Sequence, residues 1–103
     1  MGAKTKVTKS ITAENVYSDP VRISGHAAFW LSGTWAATVK LQRSADAGQT
    51  YQNVTDSVGT ELAWTANVTT SIFEPSADPD VRYRFGVPTG SFTSGTVVGG
   101  ISQ

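Results

Sequence analysis

WAATVKLQRSADAGQTYQNV, the run from Trp35 to Val54, sets two alternating apolar segments on either side of a turn and reads as a β-hairpin. Trp35, Ala37, Val39 and Leu41 fall on one face, while Ala36, Thr38, Lys40, Gln42 and Ser44 fall on the other. That period of two is what a half-buried strand requires. The turn holds an aspartate able to accept hydrogen bonds from its own loop backbone and a glycine able to take positive φ. Ser44, Asp46, Gly48, Thr50 and Tyr51 are therefore assigned to a structural hairpin turn, with Asp46 capping it and Tyr51 packing across the hairpin.

The same pattern recurs along the chain. Lys4 to Ile11 reads as an edge strand or an arm, with Val7 and Ile11 on one face and lysines that discourage unwanted pairing. Asp19-Pro20 marks a turn, Val21 to Ser24 a short strand, and Ala27 to Leu31 a compact apolar strand. Leu62, Trp64 and Val68 belong to one or two strands broken near Asn67, and Glu74 to Pro79 forms a loop with two prolines. Val81, Tyr83, Phe85 and Val87 alternate with Arg82, Arg84 and Gly86, and Phe92 to Ile101 closes the chain as one glycine-loosened strand. No window carries the recurrence of an amphipathic helix. The expectation is an all-β, single antiparallel β-sandwich of about seven to nine strands, jelly-roll or immunoglobulin-like, with residues 1–12 as arm or edge strand and 13–103 as the sandwich domain.

A chain of 103 residues suits one core, to which three Trp, three Tyr and four Phe contribute the heaviest side chains. Burying a ring contributes on the order of 4–6 kcal/mol as an upper bound, before entropy is subtracted. The rings are accordingly expected inside. With no cysteine, neither disulfides nor thiolate metal ligation are available, so packing or assembly must supply stability. Eight basic and eight acidic side chains balance, which weakens the electrostatic case for nucleic acid or anionic membrane as a partner. Charged residues make up 16% of the chain against about a quarter in a typical domain, which hints at a surface partly covered by partners. Met1-Gly-Ala-Lys has no apolar signal core and no segment is long enough for a membrane span, so a soluble, unprocessed chain is expected.

Catalysis has little to work with. His26 is the only histidine and reads better as a turn neighbour than as a base. Asp46, Asp56, Glu61, Glu74, Asp78 and Asp80 lie in expected loops or strand ends, where carboxylates form turns more often than glycosidase pairs or a calcium site at Asp78 and Asp80. No catalytic residue, cofactor or metal is assigned. The Asn-x-Thr sequons at Asn53 and Asn67 read as chance. Arg82 and Arg84 share an outward face that is either solvated or able to grip carboxylates. Trp30, Trp35 and Trp64 would be core in a sandwich, or a sugar-stacking platform if exposed in one plane.

Three resemblances add to this. Ser44-x-Asp46-x-Gly48-x-Thr50-Tyr51 resembles the Asp-box of sialidases, a structural hairpin turn remote from their catalytic centre, here present once. Asp80-x-x-Tyr83-x-Phe85 resembles the tyrosine-corner region of immunoglobulin-like domains. SGTWAATVKLQRSADAGQTYQNV, RYRFGV and TSGTVVGGISQ together resemble small virion proteins of tailed bacteriophages, over roughly half the chain, with Asp-Ala-Gly and Tyr51 where that family is expected to show Asp-Gly-Gly and Trp. The last resemblance implies a virion-located structural protein. Such a protein decorates and cements a capsid by binding the major capsid protein as a homo-oligomer on the particle surface. A neck or tail component, or a non-catalytic carbohydrate-binding module taking glycan, are the alternatives. Lys4, Lys6 and Lys9 on the N-terminal segment, expected to order on binding, and then Arg82 and Arg84, are the expected partner contacts.

Overall fold

The computed structural model describes residues 6–56 and 58–103. Its regular elements are all strands: β1 (Lys6–Ile11), β2 (Val16–Tyr17), β3 (Gly25–Ser32), β4 (Trp35–Ala37), β5 (Val39–Ser44), β6 (Gln52–Asn53), β7 (Ala63–Trp64), β8 (Val68–Glu74), β9 (Arg82–Val87), β10 (Phe92–Gly95) and β11 (Val97–Ser102). Two antiparallel sheets face each other. One runs β1-β11-β3-β8, and the other runs β2-β9-β5-β6 with β7 also paired to β5, while β10 and β4 form a small corner ribbon.

Eleven strands exceed the seven to nine expected because three long strands are interrupted. The central run breaks at Thr38, whose amide leaves the sheet to donate to the Ser91 carbonyl at 2.8 Å. The closing run breaks after Gly95, which takes φ of 88°, and Thr96 then donates to the Thr34 carbonyl at 3.0 Å. β6 and β7 line the same edge of β5, at Gln42 and Arg43 and then at Val39 and Lys40, with the 54–62 loop inserted between them. When each interrupted pair counts as one strand, eight remain, in the orders 1-8-3-6 and 2-7-4-5. That is the jelly-roll order. An immunoglobulin-like sandwich sets its first strand beside its second, whereas here β1 lies beside β11, the last.

Alternation explains which side chains meet. Phe29 and Leu31 of β3 and Ile101 and Val97 of β11 face Leu41 and Val39 of β5 and Phe85 and Val87 of β9, all at most 3% exposed. Phe29 and Phe85 meet edge-on across the gap with centroids 5.6 Å apart. The hairpin and the RYRFGV strand therefore supply half the core from one sheet. Two glycines let aromatics lie flat on the outer surfaces. A Cβ on Gly86 would meet Tyr17 and the β2 backbone, and one on Gly100 would meet the Trp30 ring, each closer than 3 Å.

Several expectations are corrected. Glu74 is no loop acid: it ends β8, points inward and is 1% exposed. Val21 to Ser24 forms only an isolated bridge, Val21 to Tyr83. None of the three tryptophans is fully enclosed; each is half-buried. Trp64 packs on the inward Phe29 at 4.7 Å, whereas Trp30, the next residue after Phe29, projects from the opposite face of β3. Finally, the Tyr83 hydroxyl donates to the Glu74 carboxylate at 2.7 Å rather than to an upstream backbone group, so Tyr83 is not a tyrosine corner.

Candidate protein-docking surfaces

The hairpin turn is held by hydrogen bonds among its own residues. The Ser44 hydroxyl donates to Asp46 Oδ1 at 2.6 Å and accepts the Gly48 amide at 2.9 Å. Asp46 in turn accepts the Thr50 amide at 2.9 Å and the Thr50 hydroxyl at 2.5 Å. These donors hold the Asp46 carboxyl at about 2, below its usual value, with the Ser44 hydroxyl contributing most and Thr50 next. Gly48 takes φ of 91°. The ring of Tyr51 lies against the Arg84 guanidinium, 3.8 Å from its centroid, so it reaches beyond the hairpin expected to hold it and packs on β9. The next loop repeats the device: Asp56 accepts the amides of Val58 and Thr60 at 2.9 and 3.0 Å.

Arg84 is therefore already engaged. Its guanidinium sits between the rings of Tyr17 and Tyr51, at 4.2 and 3.8 Å, and its Nε donates to Gln42 Oε1 at 2.8 Å. Arg82 donates to the Pro79 carbonyl. Lys6 and Lys9 lie on β1, three residues apart, and so on opposite faces of that strand. β1 pairs with β11 along its whole length, Lys6 to Ser102 through Ile11 to Val97. The arm reading is replaced by the edge-strand reading for residues 6–11, while Lys4 lies outside the described residues. Lys6 and Lys9 thus sit on a different sheet from Arg82 and Arg84, and the four form no common patch.

A residue pair that the sequence reading passed over joins the sheets. Arg43 belongs to the apolar face of β5, two residues beyond Leu41, and its guanidinium grips Glu74 of β8 with Nε to Oε1 at 2.6 Å and Nη2 to Oε2 at 3.1 Å. Glu74 also accepts the Tyr83 hydroxyl and the Ser76 amide, at 2.7 and 2.9 Å. The Arg43 bond holds the Glu74 carboxyl at about 2 despite the opposing effect of burial, with Tyr83 and Ser76 reinforcing it. Burial, then the neighbouring carboxylate, push the Tyr83 hydroxyl up. The signal was the period of two, which puts Arg43 in line with Val39 and Leu41.

The carboxylates do structural work. Glu61 pairs with Lys40 at 2.5 Å and accepts from Asn53, and the lysine bond keeps its carboxyl below the ordinary range. Asp78 accepts the Asp80 amide at 2.9 Å. No group of three or more His, Asp or Glu side chains is placed to hold a metal ion among the described residues. A polar hollow of about 380 Å³ opens beside the hairpin, between Arg43, Asp46, Thr50, Gln52, Asn53 and Thr55. Its strongest groups are occupied internally: Arg43 by Glu74, Asp46 by Ser44 and Thr50, and Asn53 by Gln42 and Glu61. His26 stacks on Phe73 at 4.7 Å and is exposed. Asn67, the second sequon, accepts the Trp35 indole N–H at 2.7 Å and donates to the Gly33 carbonyl at 3.0 Å.

The outer face of the β1-β11-β3-β8 sheet has a different character. Register places Lys6, Ser102, Ala28 and Ser71 in one row, Thr8, Gly100, Trp30 and Thr69 in the next, and Ser10, Val98 and Ser32 beyond. His26 and Phe73 complete it at the other end. Among the described residues Lys6 is its one lysine, arginine or carboxylate, and Phe73 is 56% exposed. Comparison with family models, with curated proteins and with solved structures finds no match in any of the three.

Proposed function

We propose that the chain is a structural adhesion protein that decorates and stabilises the capsid of a tailed bacteriophage by binding its major capsid protein. The observation that carries the adhesive part is the outer face of the four-stranded sheet, broad and nearly uncharged, with Trp30 and Phe73 set among Ala, Ser, Thr and Gly. Depletion of charge with enrichment in aromatics marks the centre of protein interfaces. The capsid part rests on the sequence resemblance. A jelly roll is compatible with it, but that fold hosts capsid and lectin functions alike and carries no function by itself. Many copies on one shell turn weak individual contacts into firm attachment, which suits a face without a deep pocket.

The test is co-sedimentation of the purified chain with undecorated shells of the phage that encodes it. Saturable binding in many copies per shell is expected, and loss of that binding in Ala28→Glu, which sets a carboxylate at the middle of the face. Unchanged binding of A28E means that another surface docks. A wild-type chain left in the supernatant overturns the reading. Trp30, flat over Gly100, favours glycan stacking as the second reading. It requires quenching of Trp30 emission by added oligosaccharide.

A further inference from the structure

The four sheet edges are protected unequally. β1 carries Lys6 and Lys9, β2 is two residues long, and the β6–β7 edge is interrupted by the 54–62 loop. Each is a recognised way of blunting an edge. β8 carries only one such feature, the inward Glu74 at its end, and Arg43 of the same chain neutralises that charge. The strand runs for seven residues, Val68-Thr-Thr-Ser-Ile-Phe-Glu74, pairs with β3 on one side, and meets no strand on the other among the described residues. Proline is absent from it, and its one charge, Glu74, turns inward to Arg43.

We infer that β8 is a self-association edge, pairing antiparallel with β8 of a second copy about a two-fold axis at Ser71. Full overlap of a seven-residue strand with itself centres on its fourth residue, so Ser71 faces Ser71 of the copy, Thr69 faces Phe73, Thr70 faces Ile72, and Val68 faces Glu74. Every pair joins residues of like parity, so outward side chains stay outward and the two four-stranded sheets become one of eight. No pair sets like charges together. The register also provides for Phe73, which is 56% exposed in the single chain. Trp30 is the β3 neighbour of Thr69, and His26 is the β3 neighbour of Phe73. The seam therefore aligns Trp30, Thr69, then Phe73 and His26 of the copy in one row, and the second chain covers the exposed ring. A second copy is favoured over an unrelated strand because the edge matches itself in length, sets no like charges opposite each other and places the small Thr69 against the exposed Phe73 ring, as a two-fold contact demands.

This inference stands apart from the capsid reading, since it is measured with no shell present. Sedimentation velocity of the wild-type chain over a wide concentration range should show a reversible monomer–dimer equilibrium. Ser71→Lys places two ammonium groups opposite each other at the axis and should weaken the dimer about fivefold or more. Ser71→Glu should do the same, and an equimolar mixture of S71K and S71E should regain wild-type or tighter association. Ser10→Lys, on the distant β1 edge, should leave it unchanged. Ser71 is exposed, so circular dichroism spectra of both variants should match the wild type. A wild-type chain that stays monomeric throughout overturns the inference. So does a dimer indifferent to S71K, or a mixture that fails to restore pairing.

Discussion

Arg43 of β5 and Glu74 of β8 reach each other across the gap between the two sheets, with Nε and Oε1 2.6 Å apart. Glu74 is 1% exposed, and the Tyr83 hydroxyl closes the cluster from β9. One end of a sandwich otherwise held by apolar contacts is thus fastened by a charge-assisted network.

Removing one partner of such a pair is worse than removing both, because the survivor stays buried and uncompensated. Arg43→Ala should destabilise by about 2–3 kcal/mol, less than for a fully buried pair because the Arg43 side chain is 38% exposed and Glu74 keeps two other donors, while the double variant Arg43→Met with Glu74→Leu should recover much of that loss. Tyr83→Phe, which deletes one donor to Glu74, should cost about 1–2 kcal/mol. Urea unfolding of the four proteins at neutral pH measures the series. A double variant no more stable than Arg43→Ala would show that the two side chains do not act as a pair.

Acid should weaken the fold through the same carboxylates. Glu74 and Asp46 both sit at about 2 in the folded chain, against ordinary values of 4.5 and 3.8. A carboxyl depressed on folding stabilises above its unfolded value, and that contribution disappears as pH falls through the folded value. Melting temperature should therefore be flat from neutral pH down to about 5, then decline progressively toward pH 2. Glu74→Gln should lower the plateau and flatten the decline. Stability that rises on acidification through this window would contradict the assignment.

Much of the architecture was legible in the sequence, and the misreadings share a cause. Strict alternation at Val39 and Leu41 and at Val81, Tyr83, Phe85 and Val87 located the core faces correctly, because one buried side enforces a period of two. The turn at Ser44 to Tyr51 was legible since its hydrogen bonds are local. What alternation cannot give is the partner across the gap. Glu74 looked like a loop acid because Pro75 follows it, and Arg84 looked free because Tyr17, one of its two aromatic neighbours, lies far away in sequence. The interruptions at Thr38 and Gly95 depend on bonds to Ser91 and Thr34, likewise remote.

The two glycines beneath aromatic rings should respond differently to alanine. At Gly86 the new methyl meets the Val16 carbonyl oxygen and the Tyr17 Cα, which are backbone atoms of β2 and cannot swing aside. At Gly100 it meets only ring atoms of Trp30 within 3 Å. Gly86→Ala should cost about 3 kcal/mol and detach β2, whereas Gly100→Ala should cost nearer 1 kcal/mol and red-shift Trp30 emission as the ring lifts. Thermal melts with fluorescence detection separate them. Equal losses would place the strain elsewhere.

Asn67 holds Trp35 and the Gly33 turn with two side-chain hydrogen bonds, at 2.7 and 3.0 Å. Asn67→Ala should destabilise by about 1–2 kcal/mol and alter Trp35 emission. Asn53→Ala, by contrast, frees Glu61 on the outer surface and should cost under about 1 kcal/mol. Chemical denaturation of both variants checks the order, and a reversed order would mean that the Trp35 bond contributes nothing.

Imaging of intact particles of the tailed phage proposed to carry the chain tests the proposed role most directly. Density for the jelly roll in hundreds of symmetry-related copies on the shell, with the Trp30 face against the major capsid protein, is the expected result. Particles on which the chain is absent from the shell surface, or attached with that face turned to solvent, would contradict it.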